Sequence, residues 1–416
     1  MKKQRPRHSW LRLLLWFHAI SVAIFYVVLW FRTAPKRDKQ ASASSRQPQE
    51  SKETFVSIIV PARNEECNIR RCVTSLLEQD DEHFEVIVVD DNSTDGTAAI
   101  LEEIAQFHPH RDRLWILRLG KLPQGWAGKP HALHAGVQEA RGDWLLFTDA
   151  DTWHAPDALR TSVARATEEG IDLLTLGSTQ ELPGFWDRVM MPMAYLGISL
   201  QYPIKQVNDP LSPVAIANGQ FILIRRAVYD ALGGYARPDL RSTLLDDRDL
   251  ARIVKENGFR LHFVDGRGLV RVHMYRGLAD TWRGWRKNAF LGSRGGIVFM
   301  LLQLLGLPMV AIAPFLLPLL MRAVTRNARR TNGSSANEAG AMTLLELGPL
   351  LAYRMWLNGA MQVPWYYAFT HPLAGVLFEG ILAQSTWRVL TRKGVDWRGR
   401  TYYHAMRTEK GQEKST

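Results

Sequence analysis

The sequence predicts an α/β fold, because three apolar segments each end in a cluster of polar residues and two of them are followed by helical periodicity. The apolar segments cover residues 57–60, 84–89 and 145–147, and helices are predicted over 67–78 and 97–107. Continuous apolar runs that alternate with helices are typical of strands buried on both faces of a parallel sheet. At 416 residues the chain has room for one large domain of this kind together with membrane elements.

Two carboxylates follow the third predicted strand directly. Asp149 and Asp151 stand two residues apart, at the point where the strand meets solvent. Carboxylate oxygens are ligands that a hard divalent cation such as Mg²⁺ prefers, and a cation that bridges substrate phosphates needs only one or two of them from the protein. Acidic turns are common, so this pair indicates a metal site only in combination with other motifs.

Polar residues also follow the first two strands. Ligands of such sheets bind beyond the carboxyl ends of the strands, so we expect the polar residues at the three ends to share one crevice. These residues are Asn64, Asp91, Asp149 and Asp151. An alternative exists for Asn64 and for Asp95, since each could be the N-cap of the following helix. We expect that alternative to hold for Asp95, and for Asn64 it stays open.

Taken in chain order, these motifs resemble those of family 2 glycosyltransferases. The resemblance rests on five segments, which are Val60-Pro61-Ala62-Arg63-Asn64-Glu65, Val89-Asp90-Asp91-Asn92-Ser93 with Asp95-Gly96, Gly128-Lys129, Thr148-Asp149-Ala150-Asp151 and Leu245-Asp246-Asp247-Arg248-Asp249-Leu250. It covers residues 55 to about 290 and implies the GT-A fold, a Rossmann-like mixed sheet that binds nucleotide-diphosphate sugars. Within the family, residues 125–129 and the hydrophobic C-terminal region are most similar to enzymes associated with carotenoid and hopanoid glycosylation.

The resemblance implies a role for each residue on the donor side. Asp91 and the turn after the first strand would bind the uracil and ribose of a UDP-sugar; the turn consists of Pro61, Ala62, Arg63, Asn64 and Glu65. Asp151, with Asp149, would hold Mg²⁺ or Mn²⁺. Lys129 would help to neutralise the charge that develops on the departing diphosphate.

The general base is implied by the same resemblance. Asp247 would take the proton from the acceptor hydroxyl as that hydroxyl attacks the anomeric carbon. Asp246 competes for this role. Adjacent side chains at a helix start point about 100° apart, so only one of the two is expected to face the sugar. The alternative is that both acids cap a helix over residues 248–256.

Three further residues are expected to contact the acceptor or the diphosphate. Asn218 and Gly219 occupy the region that lines the acceptor side of the pocket in relatives. Arg286 lies where many family members carry a Gln-x-x-Arg-Trp element that contacts diphosphate and acceptor. This sequence has no Gln before Arg286 and no Trp after it, which argues against polymer synthesis.

The net charge of +11 does not indicate a nucleic-acid-binding protein, because the positive charge lies at the two ends of the chain. Residues 1–50 carry ten Lys and Arg against two acidic residues, and residues 386–416 carry eight against three. Both basic ends adjoin apolar segments, which is the arrangement expected for contact with anionic lipid headgroups. We therefore expect a membrane as the partner and no nucleic acid.

Apolar segments predict membrane-spanning helices at both ends of the chain. Residues 13–31 nearly match the ~30 Å hydrocarbon core at about 1.5 Å per residue. Residues 297–321 and 361–383 are further candidates, and residues 342–356 are a weaker one. The predicted organisation is a basic segment and transmembrane helix over 1–34, a flexible linker over 35–54, a GT-A domain over 55–290, a hydrophobic membrane region over 297–385 and a basic tail over 386–416.

Between the predicted metal site and the predicted base lies a Met-rich apolar stretch, residues 189–200. We expect it to face a lipid acceptor, since Met adapts to irregular apolar partners. Ordinary packing in the core is the alternative.

Together these observations predict an inverting, metal-dependent enzyme that transfers one sugar from a UDP-sugar to a terpenoid-like membrane lipid. It is expected to be a multi-pass protein of the cell (inner) membrane with its catalytic domain in the cytoplasm. Two alternatives stay open. One is a processive polysaccharide synthase, and the other is a non-catalytic membrane scaffold that binds a sugar nucleotide.

Overall fold

The computed structural model describes residues 9–33, 54–291, 296–328, 335–391, 393, 395–397 and 400–402. The strands are β1 Val56–Ala62, β2 Phe84–Asp90, β3 Leu114–Arg118, β4 Trp144–Phe147, β5 Thr152–His154, β6 Leu173–Gly177, β7 Thr179–Gln180, β8 Ile222–Arg225, β9 Leu261–Asp265, β10 Val270–Val272, β11 Val395–Trp397 and β12 Arg400–Tyr402.

The α-helices are α1 Ser9–Thr33, α2 Ile69–Leu77, α3 Thr97–Phe107, α4 Gly128–Glu139, α5 Ala158–Glu168, α6 Phe185–Gln201, α7 Ile204–Asn208, α8 Arg226–Ala231, α9 Pro238–Arg241, α10 Asp246–Glu256, α11 Gly277–Leu291, α12 Gly296–Ala311, α13 Ala313–Ala328, α14 Ser335–Ala360 and α15 His371–Leu390. Short 3₁₀ helices cover Arg111–Arg113, Gly234–Ala236 and Trp365–Thr370.

The central sheet has seven strands in the order β3-β2-β1-β4-β8-β6-β9. β1 pairs in parallel with β2 and with β4, so the three strands predicted from the sequence lie side by side. β8 runs antiparallel to both of its neighbours, β4 and β6, and the sheet is therefore mixed. The α/β prediction is confirmed. The parallel pairing predicted from periodicity holds for one part of the sheet only. An apolar run does not show whether its strand runs parallel or antiparallel to its neighbour.

Two apolar layers cover the sheet, and the alternating side chains of each strand supply both of them. In β1, Ile59 packs in the layer that contains α4 and α10. Its neighbours Ile58 and Val60 pack in the opposite layer, with α2, α3 and α5. All three side chains are fully buried. The strand ends are therefore held rigidly where the polar residues begin.

A third apolar cluster joins the α/β domain to the helices at both ends of the chain. It combines side chains of α6 and α11 with side chains of α1, α14 and α15. The Met-rich stretch lies in α6, and most of its side chains are buried in this cluster, among them Met190, Met191 and Met193. The prediction that this stretch faces an acceptor is wrong for these buried side chains, whereas Leu200 at its end is exposed. A helix sequence shows that one face is apolar but does not show what covers it.

The apolar helices differ in part from the predicted spans. Among the described residues, one helix, Trp10–Thr33 within α1, is by itself long and apolar enough to cross a membrane. Residues 297–321 form a pair of helices bent by 55° between α12 and α13, which could count as a second span. Residues 361–383 do not form a continuous helix, because α15 begins only at His371. The predicted linker 35–54 and most of the tail 386–416 lie outside the described residues.

Candidate active site

The loops after β1 and β2 form one side of the crevice and are bonded directly to each other. Asn64 N donates to Ser93 Oγ at 3.0 Å, and Thr94 N donates to Asn64 Oδ1 at 2.8 Å. Arg63 Nη1 donates to the carbonyl oxygen of Asp91 at 2.5 Å. The prediction that these two strand ends meet is confirmed. Asn64 adopts a positive φ of 53°, a left-handed conformation that Asn tolerates better than most residues.

The helix-capping alternatives have different outcomes. The N-cap of α2 is Asn68, not Asn64, so Asn64 bridges the two loops instead of capping a helix. By helix bounds the N-cap of α3 is Gly96, but Asp95 Oδ1 accepts from Thr97 N at 3.0 Å and so satisfies a free amide of the first turn. Asp95 acts structurally, as predicted.

The turn that carries Asp149 and Asp151 is fixed by a buried polar cluster beneath it. Thr152 Oγ1 donates to the carbonyl oxygen of Asp149 at 2.8 Å. His154 Nε2 lies 3.0 Å from the hydroxyl oxygens of both Thr148 and Thr152. Burial lowers the pKa of His154 to about 3, so this imidazole is neutral and bonds without adding charge. The two carboxylates are thereby held on a rigid turn.

Lys129 is the centre of the cluster. It stands in the first turn of α4, and its Nζ lies 2.7 Å from Asp149 Oδ1 and 3.3 Å from Asp246 Oδ2. Burial alone would lower the pKa of Lys129, but the neighbouring carboxylates raise it above its ordinary value. The lysine therefore stays charged, and it connects two motifs that are far apart in the sequence.

The first turn of α10 supplies three acids with different surroundings. Asp246 is buried beside Lys129, and burial raises its pKa to about 6 although Lys129 opposes the shift. Asp247 is half-buried, and its Oδ2 accepts from Gly219 N at 3.3 Å. Asp249 instead accepts from Thr243 Oγ1 at 2.6 Å. Both Asp246 and Asp247 therefore belong to the cluster, and which of the two faces the sugar stays a prediction.

Gly219 lies against the centre of the cluster. A Cβ at this position would stand 2.9 Å from Lys129 Nζ and 3.4 Å from both Asp149 Oδ2 and Asp247 Oδ2. No other residue type fits there without displacing these groups. This close approach brings the predicted acceptor-side residue Gly219 together with the predicted metal and base residues.

Asn218, next to Gly219, belongs to a polar chain that leads to α6. Asn218 Nδ2 donates to Gln220 Oε1 at 3.2 Å, and Ser178 Oγ donates to the same oxygen. Gln180 Nε2 donates to Ser178 Oγ at 3.0 Å, and Gln180 lies beside Tyr195 on α6. No local pattern indicated this set of contacts, since its members come from three separate segments, residues 178–180, 195 and 218–220.

On α11 the structure brings a residue to the cluster that sequence reasoning missed. Burial and the positive charge of Lys129 lower the pKa of Lys287 to about 8, against the attraction of Asp246, Asp247 and Asp149. The neighbouring Arg286 is half-buried, and its carbonyl oxygen accepts from Ser385 Oγ at 2.8 Å. Lys287 occupies the position where the resembling element has Trp, so the family pattern pointed one residue away from it.

The acids of the cluster fit a divalent cation in their chemistry. Asp149, Asp246 and Asp247 surround two lysines, and Asp151 adds a fourth carboxylate with a buried Oδ1. Such a site is net negative and offers hard oxygen ligands. Within the part of the chain that the structure describes, no group of three or more His, Cys, Asp or Glu residues forms a complete ligand set. A cation here would take its remaining ligands from water or from substrate phosphates.

Comparisons with known proteins identify a family for part of the chain. Residues 57–233 match the model of glycosyl transferase family 2. A beta-monoglucosyldiacylglycerol synthase from Nostoc sp. is 32% identical over 214 residues, which are 50% of this chain and 41% of that protein. A 4,4'-diaponeurosporenoate glycosyltransferase from Staphylococcus haemolyticus is 25% identical, over 57% of this chain and 62% of its own length. The chain spans about half the length of the first curated relatives it matches.

Among solved structures, the mannosyltransferase PcManGT from Pyrobaculum calidifontis, in complex with GDP-Man and Mn²⁺, aligns with a TM-score of 0.48 and 21% identity. The alignment covers 88% of this chain and 97% of that protein. The matched family segment begins in β1, includes the donor-side loops and the Asp149/Asp151 turn, and ends just after α8. Residues 57–233 are therefore a glycosyl transferase family 2 domain.

Proposed function

We propose that the chain is an inverting, metal-dependent glycosyltransferase that moves one sugar from a UDP-sugar to a membrane lipid. The observation that carries this proposal is the convergence of Lys129, Asp149, Asp246 and Asp247 around Gly219. It combines, in one place, a cation for a diphosphate, one carboxylate of the proposed metal pair and a carboxylate that can take a proton. A non-catalytic scaffold would have no use for all of these groups.

The donor lies along the strand ends. Asp91 and the turn from Pro61 to Glu65 bind the uracil and ribose, and the bonds between the two loops hold this surface in one conformation. Lys129 and Lys287 face the diphosphate. As the bond between the anomeric carbon and the diphosphate breaks, negative charge grows on the leaving oxygen, and fixed cations stabilise it. Arg286 is a further candidate for contact with the diphosphate or the acceptor.

Asp151 and Asp149 hold Mg²⁺ or Mn²⁺. The cation neutralises the diphosphate, which would otherwise meet a net negative cluster. Because Asp149 already contacts Lys129 at 2.7 Å, we assign the larger part of the binding to Asp151. The rigid turn beneath the two residues sets the position of both carboxylates before substrate binds.

Asp247 is the general base. Asp246 is buried and paired with Lys129, whereas Asp247 is half-buried and accepts hydrogen bonds from two backbone amides, those of Gly219 at 3.3 Å and Arg248 at 2.7 Å. Asp247 accepts the proton of the acceptor hydroxyl while the hydroxyl oxygen bonds to the anomeric carbon from the side opposite the diphosphate. A single displacement of this kind inverts the configuration and needs no nucleophile from the protein.

The acceptor is a lipid with a hydroxyl or carboxyl group, such as a terpenoid. Helix α1 is apolar enough to place the domain at a membrane, and the printed names of two relatives specify a diacylglycerol and a carotenoid acid as parts of their products or acceptors. Nucleotide sugars are made in the cytosol, so the catalytic domain faces the cytoplasm. We therefore propose that the chain is a multi-pass protein of the cell membrane.

The test uses purified full-length protein in vesicles, with UDP-glucose, UDP-galactose and UDP-N-acetylglucosamine as donors. Dipalmitoylglycerol, 4,4'-diaponeurosporenoic acid and a soluble oligosaccharide serve as acceptors. A lipid that gains one sugar, with one UDP released per product, supports the proposal. A polymer would favour the processive synthase, and UDP binding without any transfer would favour the scaffold.

A further inference from the structure

An open groove runs along the membrane helix α1 and ends against α6. Side chains of α1 between Ser21 and Arg32 line it, recurring every three or four residues, and Leu200 of α6 closes one side. The lining residues of α1 span about 16 Å at 1.5 Å of rise per residue. The groove holds about 400 Å³, within the range of about 300–1,000 Å³ that small-molecule sites occupy.

The lining of the groove is mostly apolar along its length and charged at one end, which matches an amphiphilic ligand. Ile24 and Val28 face the groove and are 57% and 49% exposed, although both are apolar. Arg32 stands at the end of the groove nearest the C-terminus of α1. A hydrocarbon chain fits the apolar part, and a polar head fits the end that carries the guanidinium group. The head of such a lipid therefore lies at the C-terminal end of α1.

The groove is also connected to the catalytic cluster through α6. Leu200 lies five residues after Tyr195 on that helix, or about 7.5 Å along its axis. Tyr195 lies beside Gln180, which is the last member of the polar chain that reaches Asn218, the neighbour of Gly219. One face of α6 thus adjoins the cluster, and the end of the same helix adjoins the groove.

We propose that this groove binds the hydrocarbon chain of the lipid acceptor and so delivers its head to the catalytic cluster. The inference rests on the proposed function, which it deepens by naming where the acceptor is held. Bulk membrane lipid is the other occupant that the same surface would attract. Bulk lipid differs from an acceptor because its binding does not saturate, so a competing lipid does not reduce its labelling.

Photo-crosslinking tests the groove without requiring sugar transfer. The probe is a diacylglycerol with a C16 chain that carries a diazirine at mid-chain, added to full-length protein in vesicles. We expect label in the peptide between Ser21 and Arg32, competed by unlabelled dipalmitoylglycerol or diaponeurosporenoic acid and far less by dihexanoylglycerol. Label that neither long-chain competitor reduces means bulk lipid only and overturns the inference.

Two neighbouring valines provide a matched pair of variants. Val28→Trp fills the groove, whereas Val27→Trp puts the same bulk on an adjacent, equally exposed position of α1 that does not line it. Val28→Trp should abolish the competable label, and Val27→Trp should keep it. Leu200→Trp fills the groove from α6 and should act like Val28→Trp, which guards against an effect on α1 alone. Label that persists in both groove variants overturns the inference.

Kinetics separate this inference from the proposed function. For the acceptor that the wild-type protein glycosylates, Val28→Trp should raise KM for the long-chain form by about tenfold, since losing the burial of about two methylene groups suffices for that factor. It should leave transfer to a short-chain analogue unchanged. Absence of transfer to any lipid by the wild type would refute the proposed function, while the crosslinking result would still decide the groove.

Discussion

Replacement of Asp247 by Asn tests the assignment of the general base. The amide keeps the size of the carboxylate, and its oxygen can still accept from Arg248 N, which lies 2.7 Å from Asp247 Oδ1. The other end of the Asn side chain is an NH₂ group, which cannot accept from Gly219 N. The hydrogen bond of 3.3 Å between Gly219 N and the side chain is therefore lost. A neutral hydrogen bond contributes about 0.5–1.5 kcal/mol, so the folding equilibrium and UDP affinity should change by about twofold to tenfold.

Turnover should fall much further. A positioned general base contributes about 10²–10⁴ in rate, equivalent to about 2.7–5.4 kcal/mol in the activation barrier. The matched control is Asp249→Asn, which removes a carboxylate from the same helical turn, although that carboxylate binds Thr243 and Arg248. We expect the control to lower stability and leave kcat within a few-fold of wild type.

The assay measures initial rates of UDP release with the lipid acceptor, and calorimetry measures UDP affinity for the same preparations. Near-normal kcat in Asp247→Asn would refute the reasoning. If Asp246→Asn were inactive in that case, the base would be Asp246. An equal loss of kcat in Asp249→Asn would show that the loss reflects the helix start and not proton transfer.

Four further predictions follow from the cluster. UDP affinity should fall when a chelator removes divalent cations, and Asp151→Asn should abolish that dependence; equal affinity with and without chelator in the wild type would exclude a metal bridge. Gly219→Ala should lower kcat sharply, because its Cβ would meet an ammonium nitrogen and two carboxylates, whereas Gly120→Ala, which meets nothing within 4 Å, should not. Because the pKa of Lys287 is lowered to about 8, its charge is present below that pH and lost above it, so UDP affinity should decline above pH ~8 in the wild type and less so in Lys287→Arg. A cysteine that replaces the exposed Glu168, in a variant without the exposed native thiol, should react with an impermeant maleimide only after cells are permeabilised; labelling of intact cells would contradict a cytoplasmic domain.

The sequence predicted the strands that carry the site, for a physical reason. β1, β2 and β4 are buried on both faces, so their apolar runs stand out, and the polar residues after them mark the edge of the sheet. The helix over Thr97–Phe107 was predicted to the residue. The antiparallel strand β8 and the edge strand β3 needed the structure, because strand direction and pairing depend on contacts that no local pattern encodes.

Within the site, the chemistry of single residues was predicted better than their contacts. The resemblance supplied Lys129, Asp149 and Asp247 as separate motifs, and the structure brings them around one glycine. The pairing of Lys129 with Asp246 could not be foreseen, since it depends on how α4 and α10 pack on the sheet. Lys287 was missed because the family pattern pointed to the neighbouring Arg286, and the sequence did not show which residues of α11 face the cluster.

In the membrane region, composition predicted which segments are apolar but not what covers them. Composition predicted apolar helices, and α1 fits that prediction. Composition did not show that the Met-rich part of α6 is covered by α1, α14 and α15. An apolar face attracts lipid, substrate or another helix with the same hydrophobic driving force, so only tertiary packing distinguishes among them.

The central claim is that this chain attaches one sugar to a membrane lipid, and lipid analysis tests it most directly. Lipids are extracted from cells that lack the gene, from cells that express the wild type and from cells that express Asp247→Asn, and are compared by mass spectrometry. The account predicts a lipid with a single added sugar in the wild type, absent from the other two. A soluble polymer in place of a glycolipid, or the same glycolipid in all three, would contradict it.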